Sequence, residues 1–325
     1  MSCYIGVDLG ATCIKLALLA EDWKVVKRIE LSTADFPKKS LLIRSLEKHI
    51  LRLGESLKVK PKGVGIGVPG LVDPEKGLIH YLVNIPGWEN VHLKKILEKS
   101  LEVPVFIDND VNLMALAELC IGQAKGKKNV VCITLGTGVG GGLVLEGKLY
   151  RGTSFSAGEI GHIPLNETGP VCNCGGIACL ERYVGNRYII EKARDKLKQR
   201  SSSIISDLIK DDFSRLTPEI LSRALKKGDS LAKEIWQDIG RKIGIVLSGV
   251  VNLLNPEMII IGGGIAQVGE VLFKTIKETI KKRAMRIPAE KVSIVPAKLK
   301  KDAGLIGAAI LVKLEGARRT IPEFI

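Results

Sequence analysis

His162, Cys172, Cys174 and Cys179 fall within one short run, GEIGHIPLNETGPVCNCGGIACLE at 158–181, which has little helical or strand periodicity. Three soft thiolates and one imidazole make the ligand set of a closed, tetrahedral structural zinc site. The C-x-C-x4-C spacing favours a metal over a disulfide framework, because the chain reads as intracellular. The other reading is a set of small buried thiols in a loop; the Gly and Asn between the cysteines suit a knuckle better than a core. Glu159 and Glu181 bring two carboxylates to the same run.

Two glycine-bearing turns suit phosphate. Residues 4–7 read as a short buried strand, DLGAT follows, and strand character resumes at 14–19 and 25–31, which makes a hairpin. Asp8 and Thr12 at its tip, with Lys15 just beyond, offer a metal-facing carboxylate, a hydroxyl and backbone N–H donors, groups that suit Mg²⁺ and phosphate oxygens. An ordinary hairpin turn takes Asp and Gly as well. Further on, a strand at 130–135 leads into GTGVGGG at 136–142. That run matches G-x-G-x-x-G, but a dinucleotide fingerprint must open a helix, and the following GLVLEGKLY is strand-like. It is a second glycine-tipped hairpin whose backbone N–H groups suit phosphate oxygens. Two such hairpins suggest an internal duplication.

Gly65, Gly67 and Gly70 spell the same pattern after a strand at 63–68, but LVDPEKG follows as a turn and no helix opens. A strand at 103–107 ends in Asp108-Asn109-Asp110, and 111–120 reads as a helix, the kind of junction where α/β proteins place ligands. The two acids there would cap the helix on one reading. One carboxylate suffices for a cap, which leaves the second available as a general base. The loop NIPGW at 84–88 is either a ligand contact or a packed surface loop.

The elements that must position these residues follow from periodicity. Residues 40–57 carry apolar positions at Leu42, Ile43, Leu46, Ile50, Leu53 and Leu57, a helical face. The C-terminal half is mostly helical. Thr217 caps a helix with Pro218 at its first position and Gly228 ends it. A longer helix spans 230–254 and stops at Asn255-Pro256. After a strand at 258–261, Gly262, Gly263 and Gly264 enter a helix at a junction bare of side chains, where an adenine or ribose could approach closely. A last strand at 292–295 is followed by Asp302-Ala303-Gly304, which opens a helix over 305–314. No Pro- or Ser-rich linker separates lobes, so any boundary is interleaved.

At 325 residues the chain suggests two lobes with ample core. Its 46% apolar and 26% charged content fits a soluble globular protein. Seven cysteines, an odd number, and a start, MSCYIGVDLG, without a basic n-region point to the reducing cytoplasm. The apolar runs are too short and broken to span a bilayer, so no membrane partner is expected. A formal charge of +14 raises nucleic acid as a partner. The lysines are scattered over several helices, however, and 4% aromatic content leaves few rings for base stacking. Solvated helix faces that attract anionic nucleotides explain the charge, and no nucleic-acid partner is expected.

Taken together, DLGATCIK at Asp8, DNDVN at Asp108, GTGVGGG at Gly136, GEIGH at Gly158, CNCGGIACLE at Cys172 and IGGG at Ile261 resemble the ROK family (repressor, open reading frame, kinase), most of all its bacterial-type glucokinases. The motifs extend from residue 8 to GLIGAA near the C-terminus, so the resemblance covers nearly the whole chain. The ExGH run with the cysteine knuckle is highly specific, whereas the glycine loops are shared with the wider actin-like ATPase superfamily. The resemblance implies an α/β, two-lobed actin-like, ribonuclease-H-like ATPase fold, with ATP in the cleft and a small zinc knuckle in the larger lobe. The smaller lobe would be 1–112, with a C-terminal helix of about 304–325 packing back on it. The larger would be 113–303, with the zinc-binding loop at 158–181.

By the same resemblance Asp110 is the catalytic base toward a sugar hydroxyl, usually the 6-hydroxyl. Asn109, Glu159, His162 and Glu181 hold other hydroxyls, and Gly70 lines the pocket. His162 serves twice, completing the zinc site with Cys172, Cys174 and Cys179. Asp8, Gly10, Thr12, Lys15, Gly136, Thr137 and Gly138 bracket the phosphates and Mg²⁺, and Gly262, Gly263 and Gly264 sit by the adenosine. The implied partners are a hexose and ATP, and the implied assembly is a homodimer. Ala11 and Ala178 depart from glycines common in the family; both changes are small and neither removes a functional atom.

The favoured activity is ATP-dependent phosphorylation of a hexose, with glucose ahead of N-acetylmannosamine or N-acetylglucosamine. A sugar-responsive transcriptional regulator is the reading from a different class. Such regulators place a helix-turn-helix domain ahead of the first phosphate hairpin, which here begins at Asp8. A dinucleotide oxidoreductase fails on the strand context of each glycine match.

Overall fold

The computed structural model describes residues 2–55, 60–82, 85–199 and 202–316. Along the chain, strands β1 (Cys3–Leu9), β2 (Cys13–Ala20) and β3 (Val25–Ser32) precede helix α1 (Lys39–Glu55). Strands β4 (Val64–Val68), β5 (Gly70–Asp73), β6 (Leu78–Leu82) and β7 (Glu89–Val91) lead to α2 (Leu93–Leu101), β8 (Val105–Asn109) and α3 (Asp110–Cys120). Then come β9 (Val130–Leu135), β10 (Val139–Leu145) and β11 (Lys148–Tyr150), followed by α4 (Glu181–Val184), α5 (Asn186–Lys198), α6 (Ile204–Ile209), α7 (Pro218–Lys226) and α8 (Ser230–Leu254). The chain continues through β12 (Met258–Gly262), α9 (Glu270–Arg283), α10 (Arg286–Lys291), β13 (Ser293–Pro296) and α11 (Ala303–Gly316). Two compact units result, 1–128 with 142–158 and 297–325, and 129–141 with 159–296.

In the first unit a sheet has strand order β3-β2-β1-β4-β8. β1 pairs antiparallel with β2 and parallel with β4, and β4 pairs parallel with β8. β1 and β4 are buried almost throughout, as strands covered on both faces are. Alternation sends Ile5, Val7 and Leu9 into a core shared with Leu42, Leu46 and Leu53 of α1 and Leu93 and Leu97 of α2. Gly6 and Gly65 point the other way, onto α11. A Cβ at Gly6 would lie 2.1 Å from the Leu305 carbonyl oxygen, and one at Gly65 would lie 1.9 Å from that of Ala308. Glycine at these two positions lets the helix rest directly on the strand backbones.

In the second sheet the order is β11-β10-β9-β12-β13, with β9, β12 and β13 mutually parallel. Both sheets therefore put a trio of consecutive strands first and then add two strands parallel to the trio's first member. This shared plan is what the two glycine-tipped hairpins suggested. In the second unit α8 packs against α9, α7 and α4. Asp229 caps α8, its carboxylate accepting the Ala232 N–H, and Asn255 ends it in the left-handed region. Among the described residues no helix is long and apolar enough to cross a membrane.

Several sequence expectations need adjusting. LVDPEKG is not only a turn: its Leu71, Val72 and Asp73 belong to β5, which pairs with β6, and β7 completes a three-stranded sheet. Those strands have only three to five residues each, too few for a clear period. The strand expected at 103–107 is β8, shifted two residues on. Gly262, Gly263 and Gly264 do not enter a helix directly; a 3-10 turn at Ile265–Val268 comes first and α9 starts at Glu270. The final helix begins two residues earlier than expected, at Ala303. Leu57, Asn84 and residues 317–325 lie outside the described residues.

Candidate active site and metal centre

The register of the first sheet brings its acids to one edge. Asp8 on β1 faces Gly67 on β4, and Gly67 faces Asp108 on β8. All three stand at the carboxyl ends of parallel strands, where open α/β sheets bind ligands. Asp8 Oδ2 is paired with Lys15 Nζ at 3.0 Å across the hairpin. Burial pulls the Lys15 ammonium down, but the adjacent Asp8 carboxylate outweighs it and the lysine titrates above its ordinary value. Thr33 Oγ1 donates to the Gly10 carbonyl at 2.8 Å, and Gly10 N–H donates to Cys13 O at 3.0 Å, which fixes the turn that also carries Thr12.

At the β8–α3 junction the three residues of the DND run divide the work differently from the sequence expectation. The cap is the amide: Asn109 Oδ1 accepts the N–H groups of Val111 and Asn112 at 2.9 and 3.3 Å. Asn109 Nδ2 donates to the Gly70 carbonyl at 3.3 Å, joining the two residues expected to line a sugar pocket. Asp110 is the first helical residue, its Oδ1 accepting the Val111 N–H at 2.9 Å.

In the second unit the two glycine runs meet. Gly262 on β12 faces Thr134 on β9, and a Cβ at Gly263, whose φ is +85°, would lie 2.1 Å from the Leu135 carbonyl oxygen. Gly136, Thr137 and Gly138 continue directly from that strand end. Glu181 Oε2 accepts the Val139 N–H at 2.8 Å, and a Cβ at Gly138 would sit 2.6 Å from the same oxygen. On its other side Val139 O lies 2.2 Å from where a Cβ of Gly161 would be, so the GEIGH turn rests on the same residue. Asn186 N–H closes the arrangement on Gly136 O at 2.9 Å.

The ligand atoms of His162, Cys172, Cys174 and Cys179 all lie within 4.8 Å of one another. His162 Nδ1 is 3.7 Å from Cys172 Sγ, and Cys174 Sγ is 3.7 Å from Cys179 Sγ. Tetrahedral zinc–thiolate bonds of about 2.3 Å put neighbouring sulfurs about 3.8 Å apart, whereas a disulfide needs about 2.05 Å. The donor set fits a metal, and all three cysteines are free. Without a cation the thiols differ in acidity. The Gly176 N–H lowers the Cys174 thiol, while burial and the adjoining cysteines push Cys179 up to about 12. Three thiolates crowd together at neutral pH only around a cation. The knuckle holds its shape through Cys172 N–H to Gly176 O at 2.7 Å, Leu165 N–H to Ala178 O at 2.8 Å and Leu180 N–H to Ile163 O at 3.0 Å. Ala178 takes φ of +55°, which explains why glycine suits that place: the left-handed region costs an L-residue about 1 kcal/mol or more.

Residues 4–315 match the ROK family. The chain is a ROK-family protein. It is 37% identical over 314 residues to a glucokinase of Halalkalibacterium halodurans, covering 95% of this chain and 94% of that one. A xylose repressor of Caldicellulosiruptor bescii is 30% identical over 95% of this chain and 77% of its own length. The solved structure of a ROK family glucokinase from Streptomyces griseus in complex with glucose and AMPPNP matches with a TM-score of 0.83 at 28% identity, over 96% of this chain and 99% of that one. The family thus holds sugar kinases and regulators alike.

In this ROK protein His162 presents its two ring nitrogens in different directions. Nδ1 faces the cysteines, and Nε2 lies 3.8 Å from Glu159 Oε2. Glu159 is exposed over half of its side chain; what burial it has raises its carboxyl and Glu181 raises it further, with His162 opposing. Sequence reasoning missed Arg151 and the role of Asp108. Arg151 Nε and Nη2 both donate to Asp108 Oδ2, at 2.8 and 2.7 Å, and Asn112 Nδ2 donates to Oδ1 at 2.9 Å. Asp108 is 2% exposed. The signal available was the second acid of DND, which a cap does not require.

Proposed function

We propose that this protein is an ATP-dependent hexose kinase with glucose as its preferred acceptor and Asp110 as general base. The observation that supports it most is the sheet-edge register of Asp8, Gly67 and Asp108. It sets the phosphate hairpin and the base-bearing junction at the same ends of parallel strands. The kinases among its relatives agree with it.

In the reaction the sugar hydroxyl oxygen bonds to the γ-phosphorus of ATP, the bond from that phosphorus to the bridging oxygen breaks, and ADP leaves. Asp110 accepts the hydroxyl proton; a carboxylate in reach makes the oxygen a better nucleophile as charge builds. Most of the remaining work is positioning and charge screening. Asp8 and Lys15, with the turn at Gly10 and Thr12, serve the phosphates and their Mg²⁺, as do Gly136, Thr137 and Gly138. Gly262, Gly263 and Gly264 lie alongside and leave room for the adenosine. Asn109 spends its oxygen on the helix cap and one amide hydrogen on the Gly70 carbonyl, so its other amide hydrogen is what it offers a sugar hydroxyl. Glu159, His162 Nε2 and Glu181 supply further acceptors and donors. Unpaired buried hydroxyls cost roughly 1–3 kcal/mol, which is how such a set discriminates between sugars.

His162 Nδ1 and the sulfurs of Cys172, Cys174 and Cys179 would hold a zinc ion. Its chemistry there is structural: a charge that keeps the thiols ionised and the loop bearing Glu159 and Glu181 rigid. The deciding experiment is a coupled ADP-release screen over hexoses and N-acetylhexosamines, with Asp110→Asn in parallel. Glucose-dependent release that falls by about 100- to 10,000-fold in the variant, with glucose binding largely kept, is expected. An N-acetylhexosamine turned over faster than glucose replaces the acceptor, and no release with any sugar sinks the kinase reading.

A further inference from the structure

We propose that Arg151 is a positioning residue for Asp110 that acts through Asp108, fixing and neutralising this buried carboxylate at the strand end that carries the base. The inference rests on the reading of Asp110 as base.

Asp108 lies two residues before Asp110. Both of its oxygens are engaged. Oδ2 takes the Nε and Nη2 donors of Arg151, and Oδ1 takes Asn112 Nδ2 at 2.9 Å and the Asn109 N–H at 2.8 Å. The last two bonds hold the backbone at the point where strand becomes helix, and they are neutral. Arg151 supplies the only ion pair of Asp108 among the described residues. It reaches the junction from the turn after β11, 43 residues along the chain. Asn112 cannot replace it, because that side chain is uncharged and its Oδ1 is itself buried without a hydrogen-bond partner. Losing the guanidinium would leave a carboxylate that is 2% exposed with no counter-charge, an arrangement far costlier than the loss of a surface pair.

Other charges of this unit are themselves engaged. Asp8 and Lys15, at the same edge of the sheet, neutralise each other at 3.0 Å. β4 carries no titratable side chain over Val64–Val68. Ahead of α11, Asp302 is paired with Arg28. Glu118, two turns along α3, accepts the N–H groups of Gln123 and Leu299. The Arg151–Asp108 pair is the charge pair that lies two residues from the base along the chain. An uncompensated charge one helix entrance away, at an effective dielectric of about 20–40, moves a carboxyl's titration by about one pH unit.

The test is ¹³C NMR of the full-length protein labelled at the aspartate carboxyl carbon, with the Asp110 signal assigned by its loss in Asp110→Asn. In Arg151→Gln the Asp110 midpoint should rise by about one pH unit. Arg151→Lys should return most of the difference, and Asp108→Asn combined with Arg151→Gln should return the midpoint near that of the parent. Should Arg151→Gln not fold, Asp108→Asn alone carries the comparison: it leaves the arginine unopposed and should lower the midpoint. An Asp110 midpoint that stays put in a folded Arg151→Gln or Asp108→Asn protein overturns the proposal. This readout does not need turnover, so a protein without sugar-dependent ADP release defeats the kinase reading and leaves the titration to decide the role of Arg151. Where turnover is found, the acid limb of kcat/KM should move with the NMR midpoint, which a purely structural role would not produce.

Discussion

The Glu181 carboxylate accepts the backbone N–H of Val139 at 2.8 Å. That single bond links the residue two places beyond Cys179 to the turn of the glycine loop, so the knuckle and the loop are held as one piece within the second unit. A carboxylate first assigned to sugar thus has one oxygen committed to the protein.

Glu181→Ala would leave the Val139 N–H without its charged acceptor, at a cost of about 1.5–3 kcal/mol. We expect a lower unfolding temperature and a raised KM for both ATP and sugar. Glu181→Gln keeps an acceptor oxygen and should spare stability and the KM for ATP while still weakening sugar binding. Thermal unfolding and steady-state kinetics on the two variants separate the roles; equal losses in both would show that charge, not the bond, is what matters.

Elemental analysis of the purified protein should find about one zinc per chain. Cys174→Ala, at the exposed cysteine of the four-residue set, should abolish the metal and lower the unfolding temperature, and the KM for sugar should suffer more than kcat. A chelator should reproduce the effect. Metal-free protein with undiminished stability and activity would contradict the zinc centre.

Asp229 links acid stability to the start of α8. Burial alone would raise its carboxyl, but the Ala232 N–H, the Ser203 hydroxyl and the Ile204 N–H outweigh burial and hold it below the ordinary value. A carboxyl depressed in the folded state stabilises fully above its unfolded pKa of about 3.9 and loses that contribution as pH falls through the folded value. Asp229→Asn should cost about 1 kcal/mol at neutral pH, as cap changes do, and should flatten the stability curve below pH 4. Urea unfolding of the two proteins from pH 3 to 7 measures both effects.

What could be read from the chain alone was set by neighbours within a few residues. The 25 residues of α8 end where Asn255-Pro256 says they should, because helix stops act through local backbone geometry. The four candidate metal ligands were legible for the same reason, since a loop of 18 residues can bring them together by itself. The two glycine-tipped hairpins followed from strand alternation and turn chemistry. Tertiary structure decided the rest. Periodicity says that β1, β4 and β8 exist but not that Asp8, Gly67 and Asp108 align, because register is fixed by packing on both sheet faces. Nor could local sequence assign Asn109 to the cap, since any of the three DND residues is competent for it. The pairing of Arg151 with Asp108 lay furthest out of reach. It joins residues 43 apart, and only the folded chain brings the Arg151 guanidinium to a carboxylate buried at a strand end.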